Sequence, residues 1–196
     1  DMGRLRLSAR PRAGGGLDLE VTATAIDPGI VLPPWEAGLE LRSAACPGWS
    51  GAHKWSDRDR LEALERDSAP ATPLLVDGAG NALETSRANV FAVVENTLVT
   101  APADGSVLPG VMRARTLAIA RDARLDVRER PLPLDELAAA GEAFATGAVR
   151  LLEPIRELDG RTLPGPGAVT ALVGDALAAL LPRARRPRAP ARRPAR

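Results

Sequence analysis

Tyrosine is missing altogether from the 196 residues, and aromatic residues of any kind make up only 3% of the chain. A core built from this sequence must therefore be aliphatic, drawn from leucine, valine and alanine. Cysteine occurs once, at Cys46, so no internal disulfide can form, which points to a reducing, cytoplasmic setting. Histidine also occurs once, at His53. One imidazole and one thiol cannot make a metal-ligand cluster, and no Ser–His–Asp or Cys–His arrangement is legible; both a metal site and classical nucleophilic hydrolysis are excluded as readings. No apolar run approaches a membrane span, and the N-terminus lacks the apolar core of a signal peptide. Lysine is scarcest among the charged residues. Arginine supplies nearly all the bases, and Lys54 is the sole lysine.

What is present fits one large domain, or one domain and part of another. Hydrophobic residues reach 45%, enough for a core, while 18 glycines and 18 prolines imply many turns and several short elements. The formal net charge of +1 conceals an uneven distribution. From Arg183 onward the chain is arginine- and proline-rich without an acid, so the preceding body is net acidic. Such a tail has almost nothing apolar to bury and reads as a disordered, solvated end rather than a nucleic-acid or membrane arm.

The order of elements is mixed. Gly3–Ser8 and Leu17–Thr24 alternate around Gly14-Gly15-Gly16, which predicts two strands and a glycine turn, and Leu39–Ala44 predicts a third strand. Cys46–Gly51 reads as a linker and Asp57–Arg66 as a short helix. Pro73–Asp77 reads as a strand, and Asn89–Val94 with Thr97–Thr100 as a hairpin turning at Glu95-Asn96. Pro109-Gly110 opens a helix to about Ala123, with Val111, Ala114, Leu117 and Ala118 on its inner face. A strand at Leu125–Arg130, a helix at Leu134–Ala139, strands at Glu142–Thr146 and Leu151–Leu158, and a helix at Gly167–Leu181 complete an α+β chain.

Three segments carry chemistry. Lys54 lies in Gly51-Ala52-His53-Lys54-Trp55; guanidinium cannot form an imine, so a lone lysine in an arginine-biased chain is informative. Glu84 stands four residues after Gly80 at the start of a strand, with Asn89-Val90-Phe91 following. Leu108-Pro109-Gly110-Val111-Met112-Arg113 begins a helix, whose free N–H groups and dipole suit an anion. A surface lysine, an ordinary strand glutamate and a common Pro-Gly helix start are the plain structural readings of each segment alone. Their fixed order is what sets them apart.

This series resembles the class-IV aminotransferase family, pyridoxal-phosphate enzymes of fold type IV that include branched-chain and D-amino-acid aminotransferases and aminodeoxychorismate lyase. The resemblance runs from about Gly3 to about Thr162. It implies pyridoxal 5'-phosphate as cofactor and Lys54 as both its covalent anchor and the catalytic base. Glu84 would pair with the pyridine nitrogen, Leu108 would pack on the ring, and Gly110, Val111 and Met112 would bring backbone N–H groups to the phosphate. Thr146, in Glu142-Ala143-Phe144-Ala145-Thr146-Gly147, matches a strand-end threonine that also holds phosphate.

Departures matter too. Met112 stands where the family often has threonine, and Asp57-Arg58-Asp59 occupy the neighbourhood of a tyrosine often found after the lysine. The resemblance implies the large domain, residues 46–182, preceded in residues 1–45 by the last strands of a truncated small domain, with the tail from 183. His-Lys-Trp followed by Asp-Arg is most like the lyases, including those fused behind aminodeoxychorismate synthase. That implies conversion of the small molecule 4-amino-4-deoxychorismate to 4-aminobenzoate and pyruvate, in a homodimer, with no nucleic-acid or membrane partner. A branched-chain or D-amino-acid aminotransferase and a non-catalytic homologue are the alternatives.

Overall fold

The computed structural model describes residues 2–55 and 57–181; the arginine-rich tail lies outside the described residues. The chain opens with an antiparallel ribbon, β1 (Met2–Pro11) and β2 (Leu17–Ile26), which pairs Leu7 with Val21 and Pro11 with Leu17. Its turn holds Gly14, Gly15 and Gly16 at φ of 98°, 100° and 88°, a region side chains disfavour. Alternation puts Leu5, Leu7, Leu17, Leu19 and Val21 on one face of the ribbon, and each of them is exposed. A single helical turn, α1 (Pro28–Val31), follows; it was not anticipated, and Asp27 caps it by accepting from the Gly29 N–H at 2.9 Å.

Nine strands make the second sheet. They are β3 (Leu39–Ala45), β4 (Thr72–Val76), β5 (Ala82–Thr85), β6 (Asn89–Val94), β7 (Thr97–Thr100), β8 (Asp126–Glu129), β9 (Glu142–Thr146), β10 (Glu153–Leu158) and β11 (Arg161–Thr162). Pairing runs β3–β4–β5–β6–β9–β10 and returns from β10 to β3, so six strands close a ring. Closure leaves no free end in the pairing of these six strands. β7 and β8 extend outward from β6, and β11 from β10. β3, grouped with the N-terminal strands by the sequence reading, is hydrogen-bonded between β10 and β4 and belongs to this ring.

Two cores explain why the apolar runs take these places. β6 is buried on both faces: Val90 and Ala92 join Leu74, Val76 and Ile155, closed by Leu137 of α4 (Leu134–Ala138). Phe91 and Val93 point the other way, toward Leu117 of α3 (Val111–Asp122) and Val173 and Leu177 of α5 (Ala168–Ala178). Phe91 stacks on Phe144 with centroids 5.3 Å apart, so the chain's two phenylalanines share one contact. Burying such a side chain stabilises by about 1.5–3 kcal/mol. A third cluster joins Cys46, Leu75, Leu83 and Val107 to Leu61 and Leu64 of α2 (Asp59–Ser68).

The Glu95-Asn96 turn has φ of 48° and 67°, the two positive values that a tight hairpin turn needs. The inner face of α3 differs from the expected one. Arg113, Thr116, Leu117 and Ala120 are buried, while Val111, Ala114 and Ala118 are exposed. The cause is Arg113, whose Nη2 donates to the Ala101 carbonyl at 2.7 Å and to Glu129 at 2.8 Å and so turns that side inward. α5 ends at Ala178, short of the expected Leu181.

Candidate cofactor site

The ring brings three chain segments to one rim. Glu84 on β5 pairs across the ladder with Asn89 at the start of β6, and Asn89 pairs with Thr146 at the end of β9. Directly paired residues on antiparallel strands project to the same face, so these three polar side chains form a row. Beside them α3 begins at Val111, with Gly110 before it as the N-cap and no side-chain cap bond. The segment between β3 and α2 carries Trp49 and Lys54 over the same place. All seven residues expected from the sequence (Lys54, Glu84, Leu108, Gly110, Val111, Met112 and Thr146) line one cavity of about 720 Å³.

Glu84 is the chemical centre of this row. Its side chain is 7% exposed. Oε2 accepts from the Leu108 N–H at 3.0 Å and from Asn89 Nδ2 at 3.3 Å, and Oε1 accepts from Trp49 Nε1 at 3.3 Å. Burial pushes its carboxyl up to about 7, against the opposing pull of the Leu108 and Trp49 N–H groups and the charge of Lys54. Among the described residues Glu84 makes no ion pair. A protonated ring nitrogen would supply the cation.

The opposite end of the cavity wants an anion. The first intrahelical bond of α3 runs from the Ala114 N–H to the Gly110 carbonyl at 2.9 Å, so the N–H groups of Val111 and Met112 have no acceptor within the helix. Thr146 is 1% exposed, and its Oγ1 is buried without a hydrogen-bond partner. Buried hydroxyls are normally satisfied, so this one marks a place for an acceptor or donor from outside the chain. Lys54 is exposed on its irregular segment, where His53 meets Trp55 edge-to-face at 5.7 Å. The donor set thus fits a phosphorylated pyridine aldehyde: an amine, a carboxyl and an anion cup around one cavity.

Three residues of this arrangement escaped the sequence reading as site residues. Asn89 was visible in the motif, yet its role is geometric, since its Nδ2 also donates to the Leu108 carbonyl at 2.9 Å. Trp49 sat in what reads as a linker, and nothing in the sequence links it to Glu84. Gly51 carried a signal in its glycine beside the lysine. A Cβ there would lie 2.7 Å from both Glu84 Oε1 and the Val107 Cα, so only glycine lets the chain pass. Gly110 is similarly held, because a Cβ would collide with Asn89 Oδ1.

Fold and cavity together define a pyridoxal-phosphate protein of fold type IV. Comparison with known proteins agrees: the profile of the amino-transferase class IV family matches residues 54–158, more than half of the chain. The chain belongs to this family, whose members use pyridoxal phosphate. A probable branched-chain-amino-acid aminotransferase of Synechocystis is 29% identical over 131 residues, 67% of this chain and 42% of that protein. The branched-chain-amino-acid aminotransferase of Salmonella typhimurium is 32% identical over 87 residues, 44% and 28% of the two chains. Among solved structures, the PLP-bound form of a hypothetical aminotransferase from Mycobacterium tuberculosis superposes with a TM-score of 0.79 at 20% identity. That match covers 89% of this chain and 67% of the other. A Legionella pneumophila protein, named provisionally as a 4-amino-4-deoxychorismate lyase, gives 0.74 at 19% identity over 83% and 61%. Those two likenesses show the fold. The chain spans less than half the length of the two curated relatives.

Among the described residues no helix is long and apolar enough to cross a membrane, and no cluster of metal-binding side chains occurs.

Proposed function

We propose that this chain is the cofactor-bearing part of a lyase that converts 4-amino-4-deoxychorismate to 4-aminobenzoate and pyruvate. The observation that carries the cofactor chemistry is the buried Glu84 carboxyl, ringed by N–H donors in the same cavity as the only lysine. Bound pyridoxal phosphate supplies an electron sink for the carbon next to a substrate amine. Glu84 keeps the ring nitrogen protonated, which strengthens that sink. Lys54 Nζ would anchor the cofactor and would take and return the proton at the reacting carbon. The N–H groups of Val111 and Met112 and the Thr146 hydroxyl hold the phosphate, while Leu108 and Gly110 shape the ring's bed.

Support for an acidic substrate comes from the cavity wall. Arg60 lines it beside Asp57 and Asp59, while Arg58 and Arg87 share the Glu65 carboxylate, so this side is charged rather than aliphatic. A dicarboxylate such as 4-amino-4-deoxychorismate suits guanidinium groups better than a branched alkyl side chain does. The names of the curated relatives favour a second reading, a branched-chain aminotransferase. Incubation of the chain with pyridoxal phosphate and 4-amino-4-deoxychorismate, without a keto acid, separates the two. Release of 4-aminobenzoate and pyruvate is the lyase result; amino-group transfer from a branched-chain amino acid to 2-oxoglutarate is the other.

Assembly as a homodimer, association or fusion with an aminodeoxychorismate synthase, and a cytoplasmic place of action belong to the same proposal, as does a small-domain origin for the β1–β2 ribbon. The uncovered apolar face of that ribbon supports burial against another surface.

A further inference from the structure

The chain has three tryptophans and two phenylalanines, and four of these five rings already have a use. Phe91 and Phe144 stack on each other in the core beside α3 and α5. Trp35 packs on the same core, where a Cβ on Gly174 of α5 would lie 2.5 Å from its ring. Trp49 gives its N–H to Glu84 at 3.3 Å, and the Arg60 guanidinium lies 5.9 Å from its ring centroid. Trp55 is the exception. It directly follows Lys54, lines the cavity and is 56% exposed. Among the described residues its one ring contact is His53, the chain's only histidine, met edge-to-face with centroids 5.7 Å apart.

The placing of this pair is specific. His53 precedes the only lysine and Trp55 follows it, and all three line the same cavity. In a chain with 3% aromatic residues, two aromatic side chains thus stand on either side of the one reactive amine. The edge contact restrains the indole while more than half of its surface stays open. Nearby cations are engaged elsewhere: Arg58 and Arg87 hold Glu65, and Arg60 lies over Trp49. Among the described residues no cation covers the Trp55 ring. Its face is free for a ligand that enters beside Lys54.

We propose that Trp55, braced by His53, determines specificity by offering its face to a planar, unsaturated ring in a substrate held beside Lys54. This deepens the lyase reading and rests on it for which ring is meant. A flat ring gains offset stacking on an indole, and a branched alkyl group, which is not flat, does not. The plain alternative is that Trp55 only shields the lysine segment from water.

Titration calorimetry on the whole chain, with and without pyridoxal phosphate, tests this with two carboxylates, 4-aminobenzoate and 4-methylpentanoate. Wild type is compared with Trp55→Leu, which keeps an apolar side chain, and Trp55→Phe, which keeps a ring. We expect wild type to favour 4-aminobenzoate by about fivefold or more. Trp55→Leu should lose that preference by weakening 4-aminobenzoate alone, and Trp55→Phe should keep part of it. A wild type that binds the two alike, or neither, overturns the ring face, as does a Trp55→Leu that weakens both equally. A loss confined to pyridoxal phosphate affinity assigns Trp55 to the cofactor and overturns it as well. The same samples given 4-amino-4-deoxychorismate keep the two readings apart. A Trp55-dependent ring preference without release of 4-aminobenzoate and pyruvate keeps the ring face and overturns the lyase reading. Release without that preference does the reverse.

Discussion

Asn89 and Glu84 face each other across the β5–β6 ladder, and the Asn89 amide joins the glutamate to the loop that starts α3. Its Nδ2 lies 3.3 Å from Glu84 Oε2 and 2.9 Å from the Leu108 carbonyl oxygen, while the Leu108 N–H returns to Glu84 at 3.0 Å. Carboxyl, amide and peptide form a closed triangle, so the group that must meet a ring nitrogen and the peptide that beds the ring move together.

Asn89→Ala should therefore loosen both. Glu84 loses one of its three donors and the Leu108 carbonyl loses its side-chain partner. Removing one partner of a buried polar pair costs about 1–3 kcal/mol. Urea unfolding should show that loss, and Asn89→Asp should lose more, because a second carboxylate then faces Glu84. A stability equal to wild type in both variants would mean the triangle does not bind the loop.

Glu84 also makes the cofactor-free chain sensitive to pH. Its folded carboxyl holds a proton up to about 7 because burial disfavours the charge, whereas a free glutamate releases it near the ordinary value of 4.5. Between those values the folded chain binds the extra proton, so stability falls as pH rises from 4.5 to 7 and then levels. The expected fall is on the order of 3 kcal/mol. Thermal unfolding of Glu84→Gln over the same range should be flatter. An unchanged slope would assign the effect elsewhere.

Gly51 and Gly78 form a matched pair of tests. A methyl group on Gly51 would meet Glu84 and the Val107 backbone, whereas one on Gly78 would meet nothing within 4 Å. Gly51→Ala should cost about 1–3 kcal/mol by overpacking and shift Glu84 from its place. Gly78→Ala should change stability by less than about 0.5 kcal/mol. Comparable effects of the two, read from unfolding midpoints, would show that the approach of the lysine segment to Glu84 is looser than described.

At the other end of β9 from Thr146, Glu142 clamps α5. Its carboxylate accepts from the Val169 N–H at 3.2 Å, the Thr170 N–H at 2.7 Å and the Thr170 hydroxyl at 2.6 Å. Burial opposes its charge, but these donors outweigh burial and hold the carboxyl below its usual range. Its stabilisation is thus present at neutral pH and is lost as pH falls through the lowered value. Glu142→Ala should cost about 1–3 kcal/mol at pH 7 and speed amide exchange in α5. Unaltered exchange there would refute the clamp.

How much of this was legible in the sequence follows from range. Lys54 stands out because it is the only amine among arginines, and Glu84, Leu108 and Thr146 follow because they lie in short runs whose order is preserved. Turns were legible where local geometry demands particular residues, as at Gly14–Gly16 and Glu95-Asn96. The closure of the ring was not, since β10 meets β3 in parallel more than a hundred residues away and no local pattern marks a strand's distant neighbour. α1 is a single turn, too short for any periodicity. The inner face of α3 was misread because apolar spacing alone cannot foresee that Arg113 would be drawn inward by Glu129 and the Ala101 carbonyl. Trp49 shows the same limit, for its bond to Glu84 spans 35 residues.

The most direct test of the central claim is the visible absorbance of the purified chain with pyridoxal phosphate, beside Lys54→Ala. The account predicts a band near the visible edge in wild type that borohydride bleaches while fixing the cofactor covalently to Lys54, and that is missing from the variant. A well-folded wild type without that band, or an equal band in Lys54→Ala, would contradict it.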